Sequence, residues 1–201
     1  IASLSADLLK HLDRTSISRQ REGLEVINSQ VKNLTAFLDS YHRLTHLPEP
    51  EYKTVSVPAL FTKLERLLQA EPRDAAPTTS AGKADRSTGK ELQVYGDANL
   101  LTLALINLIR NALQAVEGQE DGIVRVDTCA GATGHLLITI TDNGPGIPPE
   151  RLSAIFTPFF STKSGGSGIG LPISQRIMQL HGGQLSVSSI PNVRTEFRME
   201  F

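Results

Sequence analysis

The chain has 201 residues, 39% of them hydrophobic, and a net charge of −1, enough to bury one core of ordinary domain size with material left for an accessory element. A near-neutral balance excludes a nucleic-acid footprint and a polybasic membrane surface, and no apolar run approaches the ~20 residues of a membrane span. The one cysteine, Cys129, excludes an intrachain disulfide and suits a reducing compartment; its place in an alternating run predicts a packed structural thiol.

Residue 1 is Ile and no signal-peptide pattern follows it, so the sequence reads as a piece cut from something longer. Residues 1–12 (IASLSADLLKHL) predict a helix with Ile1, Leu4, Leu8, Leu9 and Leu12 near one face, ended by DRTSISR. From Glu22 to about Leu47 the apolar positions Leu24, Ile27, Val31, Leu34, Leu38 and Tyr41 recur at alternating spacings of three and four. That is the seam of a coiled coil or helical bundle. Two helices joined by a short loop form a hairpin that cannot bury such a seam alone, so a homodimer is expected; the competing reading packs the seam on the rest of this chain.

HLPEPEYK (46–53) holds two prolines and reads as a linker. TVSV (54–57) predicts a strand. Pro58 opens a helix through about Gln69, with Leu60, Phe61, Leu64, Leu67 and Leu68 inward. Residues 71–91 are polar and predict a loop. ELQVY predicts a strand, and Asp97 an N-cap for a helix over 98–117, apolar on most sides and so largely buried. Asn107 and Asn111 lie four apart on one face of that helix. A buried asparagine is costly unless it is hydrogen-bonded or bound to something, so this pair marks either satisfied core amides or a ligand site.

GIVRVDTCA and HLLITITDN predict a β-hairpin, with Ile138 and Ile140 on one face and Leu137 and Thr139 on the other. The second strand runs into Asp142-Asn143-Gly144-Pro145-Gly146-Ile147. Its glycines permit close approach of backbone to a ligand, and Asp142 is either a ligand contact or a plain turn aspartate. A short helix is expected from Pro149 to about Ala154. The stretch from Phe156 to Gly183 then joins an aromatic-proline run, a polar loop with Lys163, a glycine cluster and an amphipathic helix over 168–181. Bare backbone N–H groups ahead of a helix N-terminus suit a phosphate chain. QLSVSS and RTEFRMEF predict two last strands. The fold expected is α+β: a helical hairpin followed by an α/β sandwich of about three helices on one mixed, mostly antiparallel sheet.

Four elements stand in fixed order: NLIRNALQAV (107–116), DNGPGI (142–147), FTPFFSTK (156–163) and GGSGIGL (165–171). Together they resemble the N, G1, F and G2 boxes of sensor histidine kinases, within the superfamily of gyrase-like ATPases. The resemblance covers about residues 54–201. It implies a catalytic ATP-binding domain there, a linker at 48–53 and, over 1–47, part of a dimerisation hairpin. It implies ATP and Mg²⁺ as ligands. Asp142 resembles the aspartate that accepts from the adenine amino group, and Asn111 the magnesium ligand, with Asn107 one turn away as a second polar contact. Gly144, Gly146 and Ile147 would approach the nucleotide, and Phe156 to Ser167 would form the lid. Lys163 would reach the phosphates, or else be an exposed loop lysine, and Gly166, Ser167, Gly168, Ile169, Gly170 and Leu171 would cradle them. Pro172 is tolerated only in the first turn of its helix, which puts the helix start near Ile169.

The resemblance also narrows the chemistry. Gyrase-like ATPases usually place a water-activating glutamate where this chain has Asn107, so the site suits transfer better than hydrolysis. None of the five histidines (His11, His42, His46, His135, His181) is followed by an acid; IASLSADLL resembles the helix just after the acceptor motif, so the acceptor is expected upstream of Ile1. The implied activity is a protein-histidine kinase of a two-component system, passing phosphate to a response-regulator receiver domain. The implied location is cytoplasmic, with no nucleic-acid partner and no membrane contact by this piece; whether the full-length protein is anchored in the inner membrane is left open by the resemblance. The alternatives are a non-catalytic ATP-binding regulator and an ATP-hydrolysing relative.

Overall fold

The computed structural model describes residues 21–31, 34–35, 38, 41–42, 45, 47–69, 92–130, 135–162 and 167–201. The expected first helix, the polar segment 71–91, Lys163 and Gly166 lie outside the described residues. The chain divides into two compact units, Ile1–His46 and Leu47–Phe201.

In the first unit, helix α1 covers residues 21–31, and 34–35, 38, 41–42 and 45 are helical as well. The seam is as spaced in the sequence, and its side chains lie open: Leu24, Ile27, Val31, Leu34, Leu38 and Tyr41 are 48–66% exposed. Among the described residues this apolar stripe is left uncovered.

The second unit runs β1 (Lys53–Ser56), α2 (Val57–Gln69), β2 (Gln93–Gly96), α3 (Ala98–Ala115), β3 (Val124–Ala130), β4 (Leu136–Asp142), two 3₁₀ turns (Pro149–Arg151, Ala154–Phe156), α4 (Gly170–Leu180), β5 (Gln184–Ile190) and β6 (Arg194–Glu200). All described strand pairs are antiparallel. Instead of one sheet they form two: β1 pairs with β2 alone, and the other four take the order β3-β4-β6-β5. β1 ends where α2 begins, and the main-chain N–H of Val57 bonds to the Leu92 carbonyl, so the short ladder is closed at that end.

The core lies between the four-stranded sheet and the helices. β4 alternates without a break: Leu136, Ile138, Ile140 and Asp142 are buried, and Leu137, Thr139 and Thr141 half-buried on the other face. Against it α3 buries Leu101, Ala104, Leu105, Leu108, Ile109 and Ala112 almost completely. At roughly 1.5–3 kcal/mol for each large side chain removed from water, this helix is the unit's main apolar anchor. Its N-cap is the residue expected: Asp97 has extended backbone angles, and its carboxylate accepts from the N–H groups of Asn99 and Leu100.

Four expectations are corrected. Cys129 is exposed, because the period of two that buries Val124 and Val126 puts Arg125, Asp127 and Cys129 on the outer face of β3. Leu67 on α2 is 44% exposed and Leu103 on α3 39% exposed. α2 buries Val57, Leu60 and Leu64, and Leu67 lies past that line. After Pro149 the chain makes two 3₁₀ turns rather than one short helix.

Candidate functional site

The residues singled out by the four boxes converge on one stripe of α3. Asn107, Asn111 and Ala115 follow each other at intervals of four, all half-buried, beside the fully buried Leu108 and Ala112. Each end of the stripe meets a different loop. At one end the Nδ2 group of Asn107 donates to the Gly170 carbonyl at the first residue of α4, 3.3 Å away. At the other, a Cβ placed on Gly144 would fall 2.8 Å from the Ala115 carbonyl oxygen. The middle residue, Asn111, is half-buried, and among the described residues its side chain has no hydrogen-bond partner. Of the asparagine pair, Asn107 is engaged with α4, and Asn111 lies between the two glycine loops with no side-chain partner among the described residues.

Asp142 ends β4 on the core face and is 3% exposed. Its Oδ1 accepts the Gly144 N–H at 3.0 Å, an Asx-type turn that bends the chain sharply away from the strand. The loop beyond is braced by the β5–β6 turn. The Ile147 N–H donates to Ser189 Oγ at 2.8 Å, the Ser189 hydroxyl donates to the Arg194 carbonyl at 3.1 Å, and the Asn192 N–H donates to the Pro145 carbonyl at 2.8 Å. Gly146 has φ +75°, and a Cβ there would lie 2.8 Å from the Ile190 carbonyl oxygen; glycine is required by conformation and by space.

Sequence reasoning missed Thr195. It is 4% exposed and stands opposite Asp142 in the β4–β6 register, with its hydroxyl 3.2 Å from Ser189 Oγ. Asp142 and Thr195 are 53 positions apart, and only the ladder brings them together.

The F and G2 boxes are clasped to each other. The Phe159 N–H donates to the Gly168 carbonyl at 2.9 Å. Gly168 has φ +64°, and a Cβ on it would come within 2.6 Å of the Phe159 carbonyl carbon. Phe159 itself sits at φ 66°, an expensive conformation for an aromatic residue. Phe156 and Phe160 are half-buried, Phe159 is 39% exposed, and Ser167 is exposed. Ile169 is buried and Leu171 half-buried, and α4 starts at Gly170 with Pro172 as its third residue. Pro172 thus falls in the first turn, where a missing N–H costs nothing.

The N-terminus of α4 therefore faces the side of α3 that holds the Asn111 amide, with glycine backbone before it. This arrangement can receive a chain of phosphates. The buried carboxylate of Asp142, which accepts hydrogen bonds and does not donate them when ionised, can select an amino-bearing ring edge. A groove of about 740 Å³ lies over the outer face of the sheet, among Arg125, Asp127, Thr139, Glu196 and Arg198. It is walled by residues of β3, β4 and β6, and it reaches the G1 box, where Asp142 and Asn143 line it. Among the described residues no cluster of three His, Cys, Asp or Glu side chains could hold a metal ion, and no helix is long and apolar enough to cross a membrane.

The chain is similar to known proteins in sequence and in fold. Residues 96–201 match the family described as histidine kinase-, DNA gyrase B- and HSP90-like ATPase. The chain is 43% identical over 98 residues to the sensor histidine kinase ZraS of Salmonella typhimurium, an alignment that takes in 49% of this chain and 21% of ZraS. It spans about a fifth of that relative's length. Among solved structures, the nucleotide-free catalytic domain of histidine kinase ThkA matches with a TM-score of 0.64 and 27% identity, over 75% of this chain and 95% of that one. ThkA in complex with the response regulator TrrA matches in fold, with a TM-score of 0.67 and 22% identity, over 88% of this chain and 49% of that one. The chain thus belongs to the histidine kinase-, DNA gyrase B- and HSP90-like ATPase family, and its domain is of the ATP-binding catalytic type found in sensor histidine kinases.

Proposed function

We propose that this chain supplies the ATP-binding portion of a histidine kinase that moves the γ-phosphoryl group of ATP to a histidine outside these residues, and from there to an aspartate of a response-regulator receiver domain. The observation that carries the reading is the stripe Asn107–Asn111–Ala115, which spans from the G2 loop to the G1 loop, with Asn111 between them and unpartnered among the described residues.

The residues divide the work by chemistry. The Asp142 carboxylate accepts from the adenine amino group, with Gly144, Gly146 and Ile147 giving the base room along the backbone. The backbone ahead of α4, from Ser167 through Gly168 and Ile169 to Gly170 and Leu171, offers N–H groups and a helix N-terminus to the phosphates. Phe156 anchors the base of the lid, and the ammonium of Lys163 and the backbone of Gly166 are assigned to the phosphates by the box resemblance alone. The Asn111 carbonyl oxygen is a hard ligand of the kind Mg²⁺ takes, with Asn107 one turn away. The ion would draw its other ligands from phosphates and water and would offset charge during transfer. Asn107 is no base for water, so bound ATP waits for an acceptor.

The assembly follows from the same logic. Residues 1–47 act as part of a dimerisation hairpin and 48–53 as a linker to the catalytic domain at 54–201. The exposed seam of α1 is covered by a second copy. A receiver domain is the downstream partner, as the ThkA complex with TrrA supports. Intracellular ATP and a phosphorelay place the work in the cytoplasm.

The test uses radiolabelled ATP with this chain, alone and with an added hairpin fragment that bears a histidine followed by an acid. Acid-labile label on the added fragment, and none on the chain alone, is expected. Steady phosphate release with no acceptor would assign an ATP-hydrolysing role instead. Binding without either reaction would make the chain a non-catalytic ATP-dependent regulator.

A further inference from the structure

His181, the residue that ends α4, takes no part in the site described above, yet its ring is fully engaged. Its Nε2 accepts the main-chain N–H of Asp97 at 2.9 Å. An N–H can only donate, so Nε2 carries no proton. Its Nδ1 lies 2.7 Å from the Ile177 carbonyl oxygen, which can only accept, so Nδ1 carries one. The partners thus dictate a neutral ring in a single tautomer. The ring is also crowded: a Cβ on Gly96 would fall 2.5 Å from its Cδ2, and Tyr52 meets it edge-on with centroids 5.6 Å apart.

The place of this contact gives it meaning. α3 and α4 run antiparallel, and hydrogen bonds join them at three levels. Asn107 bonds to Gly170 at one end, the Ser174 hydroxyl reaches the Ala104 carbonyl at 3.4 Å in the middle, and His181 bonds to Asp97 at the other end. The first level is the nucleotide site itself. Chain segment 51–52, which leads in from the helical unit, closes on the last level. The Glu51 N–H donates to Asp97 Oδ2 at 2.9 Å, and the Tyr52 hydroxyl donates to the Leu180 carbonyl at 2.6 Å.

We propose that His181 is a positioning residue for the nucleotide site: its neutral ring locks the end of α4 to the start of α3, and so fixes the height of Gly168–Gly170 against Asn107 and Asn111. Helices are stiff along their axes, and a well-packed pair slides as a unit rather than deforming. A proton on Nε2 would set donor against donor at Asp97. The joint then opens, α4 is free to shift along α3, and the phosphate-facing backbone moves with it. The titratable and charged groups around the ring are the carboxylate of Asp97 and the phenols of Tyr52 and Tyr95, with the Lys53–Glu51 pair behind Asp97. The main-chain N–H of Asp97 requires an acceptor at Nε2. The inference rests on the proposed nucleotide site.

Linkage supplies a test that a merely structural histidine would not pass. If the neutral ring favours nucleotide, nucleotide must favour the neutral ring by the same factor. The His181 imidazole is titrated by ¹⁵N-resolved NMR on the whole chain, with and without Mg²⁺ and a non-hydrolysable ATP analogue. For a coupling factor of about five, the proton-uptake midpoint moves to lower pH by about 0.7 unit. His181→Gln keeps an acceptor within reach of the Asp97 N–H, whereas His181→Asn keeps only a donor for Ile177. The first is expected to bind the analogue within about twofold of the parent chain, and the second roughly fivefold more weakly. An unmoved midpoint, with the amides of Asp142 and Asn111 reporting binding, overturns the proposal, as does equal affinity in the two variants. Absence of any binding would remove the nucleotide site and this inference with it.

Discussion

Asp97 offers the sharpest test of how the nucleotide helix is held. One carboxylate makes three hydrogen bonds: Oδ1 to the N–H groups of Asn99 (2.8 Å) and Leu100 (3.1 Å), and Oδ2 to the N–H of Glu51 (2.9 Å). Asp97→Ala deletes an N-cap, which costs about 1 kcal/mol, and strands the Glu51 N–H, where loss of a bond to a charged group costs about 1.5–3 kcal/mol. The two share a side chain, so a loss of roughly 2–4 kcal/mol is expected, a large part of the 5–15 kcal/mol typical of a domain. Burial pushes the Asp97 carboxyl up, but the three N–H groups bonded to it outweigh burial, and the net shift is downward. A carboxyl held below its unfolded value near ~3.9 stabilises the fold above that pH, and the contribution is lost as pH falls through the lower folded value. Asp97→Asn keeps an oxygen for the first turn of α3 but has no such pH term. Urea unfolding by tyrosine fluorescence reads both effects, since the chain has no tryptophan and two of its three tyrosines, Tyr52 and Tyr95, stack beside this joint. The gap between parent and Asp97→Asn should hold steady above about pH 5 and narrow below pH 4. A loss under about 0.5 kcal/mol in Asp97→Ala, or a gap that stays constant down to pH 3, would refute the reasoning.

Asp142→Asn keeps Oδ1 for Gly144 but removes the charge offered to adenine; calorimetry should show ATP affinity reduced by about 1.5–3 kcal/mol, with thermal stability little changed. Ser189→Ala leaves the Ile147 N–H without its acceptor, so the domain should lose about 1–2 kcal/mol and the Ile147 amide should exchange faster by hydrogen-exchange NMR. Asn107→Asp replaces the donor to the Gly170 carbonyl with an acceptor; ATP affinity should fall at least fivefold, about 1 kcal/mol, measured by the same titration.

What could be read from sequence was whatever depends on neighbours a few residues apart. Asp97 announced itself as a cap because it precedes an apolar helix. Asp142 could be placed on the core face because it shares parity with Ile138 and Ile140. Cys129 shows the limit of an alternating run taken as a whole: the run suggests a packed thiol, but parity with Arg125 and Asp127 puts this position on the outer face. The bracing of the G1 loop was not legible. Ser189 reaches Ile147 across 42 positions, and His181 reaches Asp97 across 84. Neither serine nor histidine carries a local pattern that names its partner, since the partner is chosen by strand register and helix packing. The division into two sheets was hidden for the same reason: a four-residue strand does not say which edge it joins.

Asn107 connects the two halves of the argument about chemistry. In the sequence it counts as the place where a base for water is lacking. In the structure it is a donor, and the group it serves is the carbonyl of Gly170, which also accepts from the Ser174 hydroxyl at 3.0 Å. A carboxylate at that position could not donate to a carbonyl and would repel it. The amide therefore fits both requirements of the phosphotransfer site proposed above: it would leave water unactivated, and it ties the start of α4 to the helix that carries Asn111. A glutamate there would need a differently placed α4. On this view the absence of a hydrolytic base and the close seating of the phosphate-facing backbone are one structural choice, made by a single side chain at the meeting point of α3 and α4.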